Sequence, residues 1–167
     1  MDLGDIMNIL FYLTPKCDCA YIEEGDTLRQ ALEKMEARRY SVIPLLSKSG
    51  HYLGTITEGD LLWGIKNKFN LDLHEAEKVG ITSLERRKDY MPISIRANME
   101  DLSELSLHQN FVPVSDDDGN FIGIVTRQEI IKYLKKQTAK VQEEAAEAIS
   151  RAEAAEKELS ELKNSGT

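Results

Sequence analysis

Two short strings hold the residues best placed for chemistry, Thr57-Glu-Gly-Asp60 and Thr126-Arg127-Gln-Glu129. In each, a hydroxyl and a carboxylate stand three residues apart where an apolar, strand-like run gives way to a helical pattern. At that spacing a threonine caps a helix by accepting a backbone N–H, and the acidic side chain complements the positive end of the helix dipole. The free N–H groups of a helix start also favour an anion, so capping and ligand binding use the same geometry. Arg127 has no helical reason to stand there, because a cation is mildly unfavourable at a helix N-terminus.

Other chemistries lack their parts. The sequence shows no Ser-His-Asp set, phosphate loop or convincing acid–base pair, and His51, His74 and His108 are scattered. Cys17 and Cys19 form a C-x-C pair that reads as strand; alternation puts both on one face, with no room for an unstrained disulfide. Too few soft ligands surround them for a metal site, and reduced thiols fit a cytoplasmic protein. We therefore expect a protein that is not an enzyme, with no catalytic residues, no metal and no cofactor. A net charge of −8 over 167 residues argues against nucleic acid as a partner. The apolar run Ile6 to Leu13 is too short to span a membrane and lacks the basic start of a signal peptide, so it reads as an N-terminal helix.

The elements that must position these residues are duplicated. A shift of 69 positions carries Pro44 onto Pro113, Gly50 onto Gly119, Gly54 onto Gly123, Thr57 onto Thr126 and Asp60 onto Glu129. Each copy has an extended segment (Cys19 to Ile22; Ile93 to Ile95) and then an amphipathic helix. Its stripe is Leu28, Ala31, Leu32 and Met35 in one copy and Met99, Leu102 and Leu105 in the other. Asp26 is the expected N-cap of the first helix. A short apolar strand follows, then a turn at Gly50 or Asp118-Gly119, a second strand and a closing helix. About fifty residues cannot bury a sufficient core alone, so the copies must pack on each other. The expected fold class is α+β: two β-α-β-β-α repeats related by a pseudo-two-fold axis. Boundaries are expected at 1–15 (N-terminal helical segment), 16–68 (repeat one), 69–90 (linker, helical around 72–79), 91–136 (repeat two) and 137–167 (tail).

The strings Tyr40-Ser-Val-Ile-Pro44, Gly54-Thr-Ile-Thr57-Glu-Gly-Asp60 and Gly123-Ile-Val-Thr126-Arg127-Gln-Glu129 together resemble the CBS domain family. Their arrangement is similar to the tandem pair called a Bateman module, as in stand-alone bacterial two-CBS proteins. That resemblance implies a regulatory unit binding an adenine nucleotide (AMP, ADP, ATP or cyclic di-AMP) and signalling to an unidentified partner protein. It implies one cleft built from Ala20, Tyr40, Ser41 and Ile43 with Thr126, Arg127 and Glu129. A second would use Ile93, Asn110 and Val112 with Thr57 and Asp60. Arg39 stands where some family members place a phosphate-binding arginine. Two departures make the clefts unequal: Glu129 replaces the usual aspartate, and repeat two has Gln109 with no arginine before it. One occupied cleft is expected, with preference for the first. Trp63 and Tyr133 read as core or dimer contacts, and Arg86-Arg87-Lys88 as a solvated turn.

Past residue 137 the composition shifts to Ala, Glu, Lys and Ser. Val141, Ala145, Ala148, Ala152, Ala155, Leu159 and Leu162 recur at alternating spacings of four and three, a heptad seam that continues through Leu134 and Thr138. A homodimer joined by a coiled coil is the expectation it raises. The competing reading of the whole chain is a scaffold or dimerisation protein with degenerate clefts.

Overall fold

A short threonine- or asparagine-led string starts each helix that follows a strand, and the computed structural model shows these caps closed. It describes residues 9–70 and 72–165. In repeat one the elements are β2 (Ile22–Glu23), α1 (Leu28–Arg38), β3 (Val42–Leu46), β4 (Tyr52–Thr57) and α2 (Glu58–Phe69). In repeat two they are β5 (Ile93–Ser94), α4 (Met99–Ser106), β6 (Phe111–Ser115), β7 (Phe121–Thr126) and α5 (Arg127–Asn164). A strand β1 (Thr14–Pro15) precedes the first repeat, and a one-turn helix α3 (Leu73–Ala76), capped by Asp72, lies between the two. No helix among the described residues is long and apolar enough to cross a membrane.

The duplication extends to hydrogen-bond register. β2 pairs parallel with β3 at Ile22–Leu45, and β5 pairs with β6 at the equivalent Ile93–Val114. Each antiparallel hairpin slips at the same place, between Leu45 and Leu46 or Val114 and Ser115. The turns hold Gly50 and Gly119 at φ 88° and 83°, values that glycine adopts without steric cost. The hairpin ends meet: His51 bridges Asn120 antiparallel, and Phe121 N–H donates to the Gly50 carbonyl at 3.0 Å. His51 and Asn120 are equivalent positions, so a position pairing with its own copy locates the pseudo-two-fold axis.

Two hydrophobic clusters stand out among the described residues. One joins repeat one to the linker, where Leu28, Ala31 and Met35 of α1 and Leu61 and Ile65 of α2 close on Ile22, Ile43, Leu45 and Ile56, with Ala76, Ile81 and Leu84 of the linker among them. The other joins the repeats, with Cys19 and Leu46 packed among Phe111, Phe121 and Ile124. Tyr21, Val42, Tyr52 and Tyr90 wall it, half-buried.

Several local expectations change. The N-cap of α1 is Thr27, whose hydroxyl accepts from Gln30 N–H while the Gln30 side chain accepts from Thr27 N–H. Asp26 has Arg29 three residues on, which cannot reciprocate; it instead accepts from Glu23 N–H and pairs with Lys34 at 2.6 Å. Cys17 and Cys19 do not share a strand face. Lys16–Asp18 form a 3-10 turn after Pro15, leaving Cys17 exposed and Cys19 buried, both as free thiols. Burial pushes the Cys19 thiol up to about 11. Of the helix expected over Ile6 to Leu13, the first three residues lie outside the described residues; Ile9–Tyr12 form a 3-10 turn, and Thr14–Pro15 add a strand to repeat two by pairing with β7.

The chain divides after Ile130. Beyond it α5 runs to Asn164 as an unbroken helix, supported by exposed pairs one turn apart, Lys140 with Glu144 and Glu147 with Arg151. At 38 residues the whole of α5 is about 57 Å long.

Candidate functional site

The two strand-to-helix junctions are built alike. Glu58 N–H donates to the Ser41 carbonyl at 3.0 Å, and Arg127 N–H donates to the Asn110 carbonyl at 2.9 Å. The start of each closing helix is thereby tied to the start of the first hairpin strand, β3 or β6, bringing Thr57 beside Ser41 and Thr126 beside Asn110. Thr57 accepts from Asp60 N–H at 3.0 Å, and Thr126 accepts from Glu129 N–H at 3.3 Å.

The carboxylates differ. Asp60 is 3% exposed and uses both oxygens on backbone: one accepts from Thr57 N–H at 2.9 Å, the other from Arg87 N–H at 3.1 Å. It therefore pins the linker to α2. Trp63 and Gly64, one turn along that helix, line a cleft of about 460 Å³ with Asp60, Lys68 and Arg87. Trp63 itself is 39% exposed, with Lys66 and Arg87 over its ring at 5.1 and 5.9 Å. It is not a core residue. Glu129, one methylene longer, is half-buried at the other junction.

The linker supplies what the sequence reading overlooked. Arg86-Arg87-Lys88 is not a simple solvated turn, since Arg86 is half-buried and pairs with Asp89 at 3.0 Å. Asp89 also accepts from Thr55 N–H at 2.9 Å, and Tyr90 N–H donates to the Thr55 hydroxyl at 3.1 Å. The Tyr90 carbonyl accepts from the Tyr52 hydroxyl at 2.6 Å, and the Tyr90 hydroxyl accepts from Asn110 N–H at 3.4 Å. Burial raises the Tyr52 phenol well above its ordinary value, so it stays a donor. Gln109, first noted only as a departure from the family, is buried and clamps Met91: its amide accepts from Met91 N–H at 2.7 Å and donates to Met91 carbonyl at 3.1 Å.

For the first expected cleft, Ala20 and Tyr40 lie together against the repeat-one core. Cys19, the neighbour of Ala20, packs on Ile124, two residues before Thr126. Ala20 also lines a cleft of about 410 Å³ with Tyr21, Lys34 and Arg38. Ser41 is exposed; Ile43 is fully buried, so its side chain is core and only its backbone can face a ligand. Arg127 donates through Nε to the Gln109 carbonyl at 3.0 Å, and it makes no ion pair among the described residues. Arg39 ends α1 in a left-handed conformation and lines a groove with Glu36, Glu58 and Leu62 that holds none of Thr126, Arg127 and Glu129. For the second cleft, Asn110 is exposed, Ile93 half-buried and Val112 fully buried. Tyr90, edge-on to Phe111 at 5.0 Å, stands between Asn110 and the Thr55–Thr57 end of β4.

Comparison with known proteins agrees with this architecture. The family model "CBS domain" matches residues 3–67 and 83–136. The chain is similar to a crystal structure of CbpB in complex with c-di-AMP, with a TM-score of 0.71, 24% identity, and coverage of 82% of this chain and 90% of that one. It is also similar to CBSX2 in complex with AMP, with a TM-score of 0.61, 22% identity and coverage of 78% and 98%. Among curated proteins, homoserine O-acetyltransferase of Methanohalophilus mahii is 28% identical over 138 residues, covering 83% of this chain and 25% of that enzyme. The chain spans about a quarter of the length of the curated relatives it matches.

Proposed function

The chain belongs to the CBS domain family, and on that premise we propose that it is a non-catalytic regulatory module binding an adenine nucleotide between its repeats. The carrying observation is the junction at Thr126, where a capped helix start, a hydroxyl and Arg127 converge. The ligands of the similar structures, cyclic di-AMP and AMP, support the adenine class. In this reading the base lies against Ala20 and Tyr40 and on the backbone of Ser41 to Ile43. Phosphate meets the Thr126 hydroxyl, the α5 N–H groups and Arg127, while Glu129 accepts from the ribose hydroxyls. Asp60 in this reading serves the linker instead, its oxygens accepting the Thr57 and Arg87 N–H groups. Arg39 then serves the groove of its own repeat rather than this phosphate.

A ligand that binds one arrangement of the repeats better than another shifts their population, and an unidentified partner protein reads the shift. The module works in the cytoplasm, a proposal supported by its two free thiols, and acts as a homodimer. A dimeric scaffold with vestigial clefts is a second reading, favoured by the exposed apolar positions along α5.

Calorimetric titration and thermal unfolding with AMP, ADP, ATP and cyclic di-AMP test the first reading. A ligand at about a hundred times its dissociation constant should stabilise the fold by about 2.7 kcal/mol. Absence of any response to all four compounds would overturn the nucleotide reading and favour the scaffold.

A further inference from the structure

The large side chains along the seam of α5 beyond Ile130 are exposed, and the charges beside them select an occupant. Beyond Ile130 the seam positions are Ile131, Leu134, Thr138, Val141, Ala145, Ala148, Ala152, Ala155, Leu159 and Leu162, an unbroken 3-4 alternation. The five large ones, Ile131, Leu134, Val141, Leu159 and Leu162, are between 42% and 67% exposed. Large side chains thus stand at both ends of a central run of four alanines. Alanine there lets two helices approach closely, while the larger ends supply the apolar area.

We propose that the occupant is the same face of a second copy of this chain, paired parallel and in register. The flanking positions decide the direction. In a parallel pair each residue just before a first-of-heptad seam position faces the residue five places on in the other copy. That rule sets Arg151 against Glu156 and Glu158 against Lys163, each twice by symmetry, with no like-charge pair. An antiparallel pair that overlaps the whole seam, with Ile131 opposite Leu162, sets Glu144 against its own copy and Lys135 against Lys163 by the same spacing, both repulsive. In the single chain Arg151 pairs with Glu147 at 2.9 Å, an exposed contact of the weak kind that an interhelical partner can replace. This pairing rests on the homodimer reading above and gives it a geometry; it does not depend on nucleotide.

The test uses the full chain. Light scattering should return twice the monomer mass of 18.9 kDa, and Leu159→Asp with Leu162→Asp should halve that value while nucleotide response is kept. In a Cys17→Ser background, Leu162→Cys should form a covalent dimer on mild oxidation, because parallel registry places the two sulfurs opposite each other. A monomer for the unaltered chain would overturn both the dimer and the pairing. A dimer that survives the two aspartates, or in which Leu162→Cys fails to cross-link, would overturn the pairing and leave a homodimer by another surface.

Discussion

The third strand of each repeat needs a glycine, and the two glycines meet different things. At Gly123 an added Cβ would lie 2.2 Å from the backbone carbonyl of Thr14, because β1 pairs along that edge. At the equivalent Gly54 it would lie 2.2 Å from a carboxylate oxygen of Asp89, since among the described residues no strand pairs with that edge of β4 and a side chain accepts its Thr55 N–H instead. Repeat two is thus sealed by main chain and repeat one by a latch from the linker. The difference reaches the junctions. Asp60 is bound up with that linker, whereas the Arg127 side chain is held by a single carbonyl. On the proposed function the two like-folded repeats divide their work: the repeat-one junction chiefly joins the halves through Asp60, and the repeat-two junction takes the anion.

That contrast can be broken most forcefully at the glycines. Both glycines have φ values strained for a side chain, 146° and 157°, but Gly123→Ala should cost more, about 3 kcal/mol, because there a backbone carbonyl must yield. Gly54→Ala should cost less, about 2 kcal/mol, since Asp89 can swing aside at the expense of its bonds to Thr55 and Arg86. Urea unfolding of the two variants compares them directly; a larger loss at Gly54 would mean that the latch is the stiffer seal.

The junctions offer a double dissociation of next size. Asp60→Ala should lower stability by about 2 kcal/mol, leaving two backbone N–H groups without their acceptor, with little change in nucleotide affinity. Arg127→Ala should lose only about 1 kcal/mol of stability but weaken nucleotide binding by roughly tenfold or more. If Asp60→Ala is the variant that abolishes binding, the preference for the first cleft is wrong. A smaller effect belongs to Gln109→Leu, about 1 to 2 kcal/mol, because the Met91 N–H loses its buried partner. The mildest test leaves stability untouched. Near pH 8 a thiol reagent should modify Cys17 quickly and Cys19 slowly, since burial holds Cys19 near 11 and therefore protonated. Fast labelling of both would show that the segment joining β1 to β2 opens readily.

What was legible in the sequence was whatever the duplication repeats and whatever acts within one turn of chain. The hairpin glycines, the Thr57 cap and the order of elements in each repeat are of this kind. The misreadings came from choosing between neighbours of similar type. Asp26 and Thr27 can both cap, and only the glutamine three residues after Thr27 decides. Cys17 and Cys19 were read by strand alternation, but Pro15 leads into a 3-10 turn that separates their faces. The missed residues, Asp89, Tyr90 and Gln109, work on partners 18 to 35 positions away, a distance at which composition and periodicity are silent. Family resemblance pointed to residues at the strand starts, but it could not show that Ile43 and Val112 turn their side chains into the core.

The bridge between His51 and Asn120 has a historical consequence. A hairpin tip bonded to its own duplicate is the contact that two separate copies would make across a symmetry axis, here carried on one polypeptide. Once fused, neither half has to work on both sides of that axis. A change in one cleft is no longer copied into the other, so one can drift into a structural role while its twin keeps the ligand.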